Sequence, residues 1–248
     1  MTTTLRLPRG LYGITPEWDD TEKLLKAISA AVAGGMAVLQ WRRKTIANEE
    51  RVAQARRVVE HCRSLGIPCI INDDWRLAAL VNADGAHIGR EDGQYAEARM
   101  ALGADRIIGC SCYNQPSLAS QALKAGADYV AFGAMYPSII KPEAVQATLE
   151  DIEQGRMLAE AHRTPAGQPA RQEQASALGQ RNTTNDTEYS SQNGQQWQRP
   201  TVVAIGGITV DNALPLLHAG ADSLAVISGL FESHDIKATA QRFSALFF

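Results

Sequence analysis

Four short stretches of this chain, AGGMAVLQWR, NADGAHIGR, KAGADYVAFG and HAGADSLAVISG, repeat one junction: the end of an alanine-rich helical segment, a glycine-containing turn, and a short β-branched run. Glycine there supplies the left-handed residue that stops a helix, and the Ala or Asp after it opens the turn into a strand. A chain made of such units is confined to an architecture of repeated strand and helix. Reading the short apolar runs as buried parallel strands gives eight, at 10–15, 37–42, 69–73, 85–90, 107–112, 129–136, 201–207 and 223–229. Helical patterns fall at 21–34, 47–65, 75–82, 95–102, 116–125, 143–162, 209–218 and 235–247. Strict alternation favours a closed (β/α)8 TIM barrel over an open doubly wound sheet, and 248 residues is the usual size of such a barrel as a single domain. The open sheet stays as the alternative, because alternation alone does not prove closure.

Composition excludes several classes. With 24 Lys and Arg against 27 Asp and Glu the formal charge is −3, so no general field attracts nucleic acid or an anionic membrane, and any anion site has to be local. The opening MTTTLRLPRG lacks the apolar core of a signal peptide, and no apolar run approaches the length that spans a bilayer, which sets the expectation of a cytoplasmic protein. Cys62, Cys69, Cys110 and Cys112 lack CxxC spacing and sit in apolar surroundings, as reduced packing thiols do. From 164 to 200 the chain is rich in Gln, Asn, Ser, Thr and Gly, with almost nothing to form a core face; the expectation is a disordered polar insertion before the seventh strand, at the rim opposite the site.

In a barrel of this kind the working residues come from the C-terminal ends of the strands and the loops beyond. The second strand ends Gln40-Trp41-Arg42-Arg43-Lys44. A period of two turns Gln40, Arg42 and Lys44 into the barrel mouth and Trp41 and Arg43 towards the helices, and an amide, a guanidinium and an ammonium on one face make an anion cradle. Two inward cations require a counter-charge. The third strand ends Asn72-Asp73-Asp74 and the fourth runs into Arg90-Glu91-Asp92. Asp73 and Asp92 are the pair suited to one Mg²⁺, which takes one or two carboxylates together with phosphate oxygens and water, whereas Asp74 fits a helix cap better. Ser111, with no His or Lys evident beside it, reads as a hydrogen-bond donor rather than a nucleophile. Lys141 follows the sixth strand and could reach a phosphate. Glycines at Ala204-Ile205-Gly206-Gly207, with Val226-Ile227-Ser228-Gly229 after the eighth strand, match the recurrent phosphate site of these barrels. His87 reads as a packed barrel histidine, and His61, His162, His218 and His234 have no metal spacing.

These stations in order, QWRRK, INDDWRLA, HIGRED, GCS, YPSIIK, AIGGI and VIS, resemble the thiamine-phosphate synthase family over nearly the whole chain apart from 164–200. The resemblance implies condensation of 4-amino-2-methyl-5-(diphosphooxymethyl)pyrimidine with a thiazole phosphate, giving thiamine phosphate and diphosphate with Mg²⁺ as cofactor. It implies that Gln40, Arg42, Lys44, Asn72, Ser111 and Lys141 bind the pyrimidine diphosphate, Trp41 and Arg43 being counted in the same run. Arg42, Lys44, Asn72, Ser111 and Lys141 would serve the chemistry, Asp73 and Asp92 would hold Mg²⁺, and Ser138, Ile139, Ile140, Gly207, Ile227 and Ser228 would take the thiazole phosphate. The partners implied are these two small molecules, with no nucleic acid or membrane, and a homo-oligomer is compatible with the sequence. Departures are the loop Pro137-Ser138-Ile139-Ile140-Lys141, where the family commonly has P-T-x-T-K, Tyr113, where a His is frequent, and the polar insertion. A thiazole tautomerase-type barrel and a catalytically weak ligand-binding barrel are the alternatives.

Overall fold

A computed structural model describes residues 3–45, 47–89, 95–137, 145–165 and 197–248. The elements in chain order are β1 (Thr3–Leu5), β2 (Gly10–Ile14), α1 (Thr21–Ala33), β3 (Met36–Trp41), α2 (Asn48–Ser64), β4 (Cys69–Asn72), α3 (Trp75–Leu80), β5 (Gly85–Ile88), α4 (Tyr95–Leu102), β6 (Ile107–Tyr113), α5 (Pro116–Lys124), β7 (Tyr129–Phe132), α6 (Leu149–Ala161), β8 (Thr164–Pro165), β9 (Trp197–Arg199), β10 (Thr201–Ile205), α7 (Leu214–His218), β11 (Ser223–Val226), α8 (Ser228–Phe231) and α9 (Ile236–Ser244). Eight strands close into a parallel barrel in the order β10-β11-β2-β3-β4-β5-β6-β7. Closure settles the choice that the alternation had left open. No helix among the described residues is long and apolar enough to cross a membrane.

The period of two separates two cores. Side chains facing out, among them Leu11, Leu39, Trp41, Ile71, Ala86, Ile108, Val130, Val202 and Leu224, pack under the helices. Those facing in, including Tyr12, Ile14, Val38, Ile70, Tyr129, Val203 and Ala225, fill the barrel. Gly109 faces in as well, and a Cβ there would come within 1.9 Å of the Tyr129 ring, so the missing side chain is what lets that ring lie across the barrel. Cys110 and Cys112 lie on the opposite face of β6 from Gly109, and all four cysteines are unpaired thiols.

The repeated Ala-Asp of the sequence acquires a structural meaning. Asp84, Asp128 and Asp222 each precede a strand, and each exchanges two hydrogen bonds with one residue at the start of the neighbouring strand. The backbone N–H groups of Asp84, Asp128 and Asp222 donate to the carbonyls of Cys69, Ile108 and Val202 at 3.0, 2.8 and 2.8 Å. The carboxylates accept from the N–H groups of the same three residues at 2.9, 2.8 and 2.9 Å. In each case one acidic side chain thereby satisfies an N–H at the start of a strand, on the first residue of β4 and the second residues of β6 and β10, a group otherwise orphaned at the barrel floor.

Element boundaries differ from expectation where side chains or glycines intervene. The strand expected at 201–207 ends at Ile205 because Gly206 and Gly207 turn the chain with φ of 101° and 63°. The helix expected from 209 begins at Leu214, since Asn212 takes the Thr209 N–H on its Oδ1 and gives its Nδ2 to the Gly207 carbonyl, bonds that compete with a helical turn. The helix expected from 143 begins at Leu149, behind a capping box of Thr148 and Asp151. The stretch 164–200 is not unstructured at its ends. Thr164 and Pro165 pair antiparallel with Gln198 and Trp197, and β9 pairs parallel with β1. Residues 166–196 lie outside the described residues.

Candidate active site at the C-terminal rim

Beyond β3 the chain carries its cations as alternation requires, and the counter-charges are identifiable. Arg42 Nη1 lies 2.9 Å from Glu17 Oε1, and Lys44 Nζ lies 3.3 Å from Asp73 Oδ2. Trp41 and Arg43, counted with the same run, turn their side chains away from the barrel mouth. Trp41 is 1% exposed, and its indole N–H donates to Gln54 Oε1 on α2 at 3.2 Å. Arg43 is 5% exposed and is held by the Trp18 carbonyl and by Asp19 at 2.6 Å. The same pleat that sends Gln40 and Arg42 inward sends these two outward.

Below the rim, five inward side chains form one hydrogen-bonded chain across the barrel. Gln40 Nε2 donates to the Tyr12 hydroxyl at 2.9 Å, Tyr12 and Tyr129 hydroxyls are 2.9 Å apart, Tyr129 meets His87 Nδ1 at 2.9 Å, and His87 Nε2 meets Ser111 Oγ at 2.8 Å. The His87 and Tyr129 rings are stacked, with centroids 5.5 Å apart. Burial pushes both tyrosine pKa values well above the ordinary phenol range, so both keep their protons. With Gln40 donating, Tyr12 has to donate to Tyr129 or leave its own proton without an acceptor. Tyr129 then donates to Nδ1, and His87 carries its proton on Nε2 and donates to Ser111. Ser111 therefore does have a histidine beside it, contrary to the sequence reading, yet His87 is a donor to that hydroxyl and not its base. The hydroxyl hydrogen of Ser111 is left to point onward.

At the end of β4, Asn72 pairs in register with His87, and Asp73 follows in the left-handed region at φ 65°, its N–H donating to the His87 carbonyl at 2.8 Å. Asp and Asn tolerate that conformation better than most side chains. Asp74 caps α3, accepting from Leu77 N–H at 2.8 Å, and pairs with Arg51 at 2.9 Å, which is the cap role expected of it. On the far side of β2, Gly207 follows β10, Ile227 packs onto the barrel interior, and Ser228 begins α8, a four-residue helix without a counterpart in the expected pattern. A Cβ at Gly207 would come within 2.6 Å of the Tyr136 and Pro137 carbonyls, so this turn admits no larger residue without displacement. Gln40, Arg42, Lys44, Asn72, Asp73, Ser111, Gly207, Ile227 and Ser228 thus belong to one rim or the barrel interior beneath it. Asp92, Ser138, Ile139, Ile140 and Lys141 lie outside the described residues. Sequence reading missed Glu17, Tyr12 and Tyr129 as site residues; the requirement for a counter-charge near Arg42 was the only signal pointing to Glu17.

A closed (β/α)8 barrel with cations, a carboxylate and a buried polar chain at its C-terminal rim defines the class of barrel that carries out its chemistry there. Residues 11–166 match the family model described as thiamine monophosphate synthase. The thiamine-phosphate synthase of Bordetella pertussis is 47% identical over 244 residues, covering 98% of this chain and 97% of that protein. That of Thiobacillus denitrificans is 42% identical over 240 residues, covering 97% and 95%. Among solved structures, thiamine phosphate pyrophosphorylase from Pyrococcus furiosus superposes with a TM-score of 0.72 at 25% identity, covering 98% of both chains. The chain belongs to the thiamine monophosphate synthase family.

Proposed function

We propose that this protein joins 4-amino-2-methyl-5-(diphosphooxymethyl)pyrimidine to a thiazole phosphate, forming thiamine phosphate and releasing diphosphate. The observation that carries the reading is the placement of Arg42, Lys44 and Asp73 directly above the Gln40-to-Ser111 chain, with the Lys44–Asp73 contact at 3.3 Å. A polar floor suited to a heterocycle with donors and acceptors lies beneath a charged rim suited to its diphosphate.

The bond that breaks joins the pyrimidine methylene carbon to the diphosphate oxygen, and its electron pair leaves with the diphosphate. The bond that forms uses the lone pair of the thiazole nitrogen on the same carbon, so no proton moves and no protein nucleophile is needed. Diphosphate leaves readily only when its developing charge is neutralised, which is the task of Arg42 and Lys44, together with Lys141. Gln40, whose Nε2 is committed to Tyr12, presents Oε1 to the exocyclic amine, and Ser111 donates its hydroxyl hydrogen to a ring nitrogen. Asn72 orients the pyrimidine or a phosphate oxygen from the end of β4. Electron release from the aminopyrimidine stabilises positive charge on the methylene, so bond breaking runs ahead of attack. Gly207, Ile227 and Ser228, with Ser138, Ile139 and Ile140, hold the thiazole phosphate so that its nitrogen faces that carbon, an orientation effect of several kcal/mol of barrier.

Asp73 offers hard oxygen at the rim beside Lys44, the donor type Mg²⁺ requires, and with Asp92 it is the pair to hold the ion. Bound there, the ion supplies further neutralisation of diphosphate charge. The free thiols support a cytoplasmic location.

Diphosphate release from the two substrates together, measured with Mg²⁺ and with the metal chelated, tests the reading. Release is expected only when both substrates and Mg²⁺ are present, and to be lost in Asp73→Ala. No Mg²⁺-dependent product would sink the synthase reading. Thiazole isomerisation that survives Asp73→Ala would favour a tautomerase instead.

A further inference from the structure

Glu17 stands in the loop between β2 and α1, outside every motif of the sequence, yet its carboxylate reaches four consecutive residues beyond β3. Oε1 is 2.9 Å from Arg42 Nη1. The Lys44 backbone N–H donates to both oxygens, at 3.1 Å each. Thr45 Oγ1 donates to Oε2 at 3.3 Å, and Arg43 Nε lies 3.6 Å from the same oxygen. These residues are past the last ladder bonds of the strand, so nothing in the sheet holds them.

Thr15, two residues before Glu17, extends the brace inward. Its N–H donates to the Gln40 carbonyl at 2.9 Å, and its hydroxyl accepts from Arg42 N–H at 2.8 Å and faces the Arg42 carbonyl at 3.2 Å. The loop after β2 therefore sets the main chain from which Arg42 and Lys44 project, and Lys44 crosses to Asp73, just past the end of β4, from an amide that Glu17 fixes. The side chain of Glu17 is 33% exposed, so water screens its ion pair and little of the fold's stability depends on it. A carboxylate that contributes little to stability but orients two cations has its effect on ligand geometry.

We propose that Glu17 is a positioning residue for the diphosphate end of the reaction, acting through Arg42 and Lys44 and touching no reacting atom. The proposal rests on the reading that residues 40–44 bind the pyrimidine diphosphate. It distinguishes the two substrates: the diphosphate side depends on Glu17 and the thiazole side does not.

Steady-state kinetics with each substrate varied, together with calorimetric binding of inorganic diphosphate in the presence of Mg²⁺, should be compared for wild type, Glu17→Ala, Glu17→Gln, Arg42→Ala and the Glu17→Ala/Arg42→Ala double variant. Glu17→Ala is expected to lower kcat/KM for the pyrimidine diphosphate about tenfold and to weaken inorganic diphosphate by a similar factor, leaving the KM for thiazole phosphate unchanged. Its thermal midpoint should stay within about 2 °C of wild type, as for a screened surface pair. Glu17→Gln keeps an acceptor for the Lys44 amide and should recover to within about threefold of wild type. Because Glu17 acts largely through Arg42, the double variant should be no more than about threefold worse than Arg42→Ala.

Unchanged kinetics in Glu17→Ala would overturn the proposal, and so would a lower KM for the pyrimidine diphosphate, which would make the carboxylate a competitor of the ligand. A parallel rise of both KM values with a fall in melting temperature would make it merely structural, and multiplicative effects in the double variant would separate it from Arg42. If Arg42→Ala itself leaves diphosphate binding unaltered, the reading of the 40–44 stretch fails and takes the proposal with it. If Arg42→Ala weakens binding and Glu17→Ala does not, the proposal alone fails.

Discussion

Tyr129 shows how much one side chain settles here. Its ring occupies space that Gly109 leaves open, and its hydroxyl is the middle link between Tyr12 and His87. In Tyr129→Phe the Tyr12 proton loses its acceptor and His87 Nδ1 loses its donor. The protein should lose about 2 kcal/mol of stability, the cost of leaving buried polar groups unmade, as chemical denaturation would show. The tautomer of His87 is no longer enforced, so Ser111 loses its fixed donor. We expect kcat to fall about tenfold with the thiazole phosphate KM unchanged, the pattern of a group that orients one substrate; an unchanged kcat would detach the chain from catalysis. At this scale the sequence was informative where alternation decides, as with Gln40, Arg42 and the outward Trp41. It was silent where partners come from distant strands: Ser111 and His87 are 24 positions apart and meet only through neighbouring β5 and β6.

At the scale of elements, the Ala-Asp turns fasten strands to their neighbours, but the three clamps are not equivalent. Asp222 also holds Arg199 through bonds of 2.6 and 2.7 Å, and Arg156 at 3.1 Å, with Arg199 only 4% exposed. Asp84 has no ion pair among the described residues and makes its clamp alone. Asp222→Ala should therefore cost about 3 kcal/mol, because it leaves the buried Arg199 guanidinium with Glu160, at 3.1 Å, as its remaining carboxylate. Asp84→Ala should cost about 1 kcal/mol, the low end of the cost of leaving one part-buried N–H without its acceptor. Denaturant midpoints of the two variants compare these directly, and equal losses would show that the ion pairs add nothing. The folded fraction of either variant should keep its kcat/KM, since both clamps lie at the floor and the site at the opposite rim. The glycine turns were legible as strand starts, whereas the function of the Asp in them was not, because its acceptor role depends on which strand lies alongside.

For the whole molecule, the packed barrel couples stability to alkaline pH. Burial raises the pKa of Tyr12 and Tyr129 above the ordinary 10.0, pushes Cys110 from 9.0 up to about 12 and pushes Cys112 higher still. In the unfolded chain these groups release their protons near their ordinary values while the native protein retains them, so the unfolded state binds fewer protons and stability falls as pH rises. The unfolding free energy should be flat towards neutral pH and decline from about pH 9 upward, thiols first and phenols next, as followed by denaturant titration at stepped pH; a stability that holds to pH 11 would contradict the burial. The sequence by itself determined the eightfold alternation of strand and helix, the inward faces and the family, because helix stops, apolar runs and a period of two are local properties. The tertiary structure alone decided that the barrel closes, that Glu17 and Asp73 answer the cations of β3, and that five polar side chains join into one directed chain. Those are facts about residues far apart in sequence, whose hydrogen bonds and charges acquire partners only when eight strands are curled into a ring.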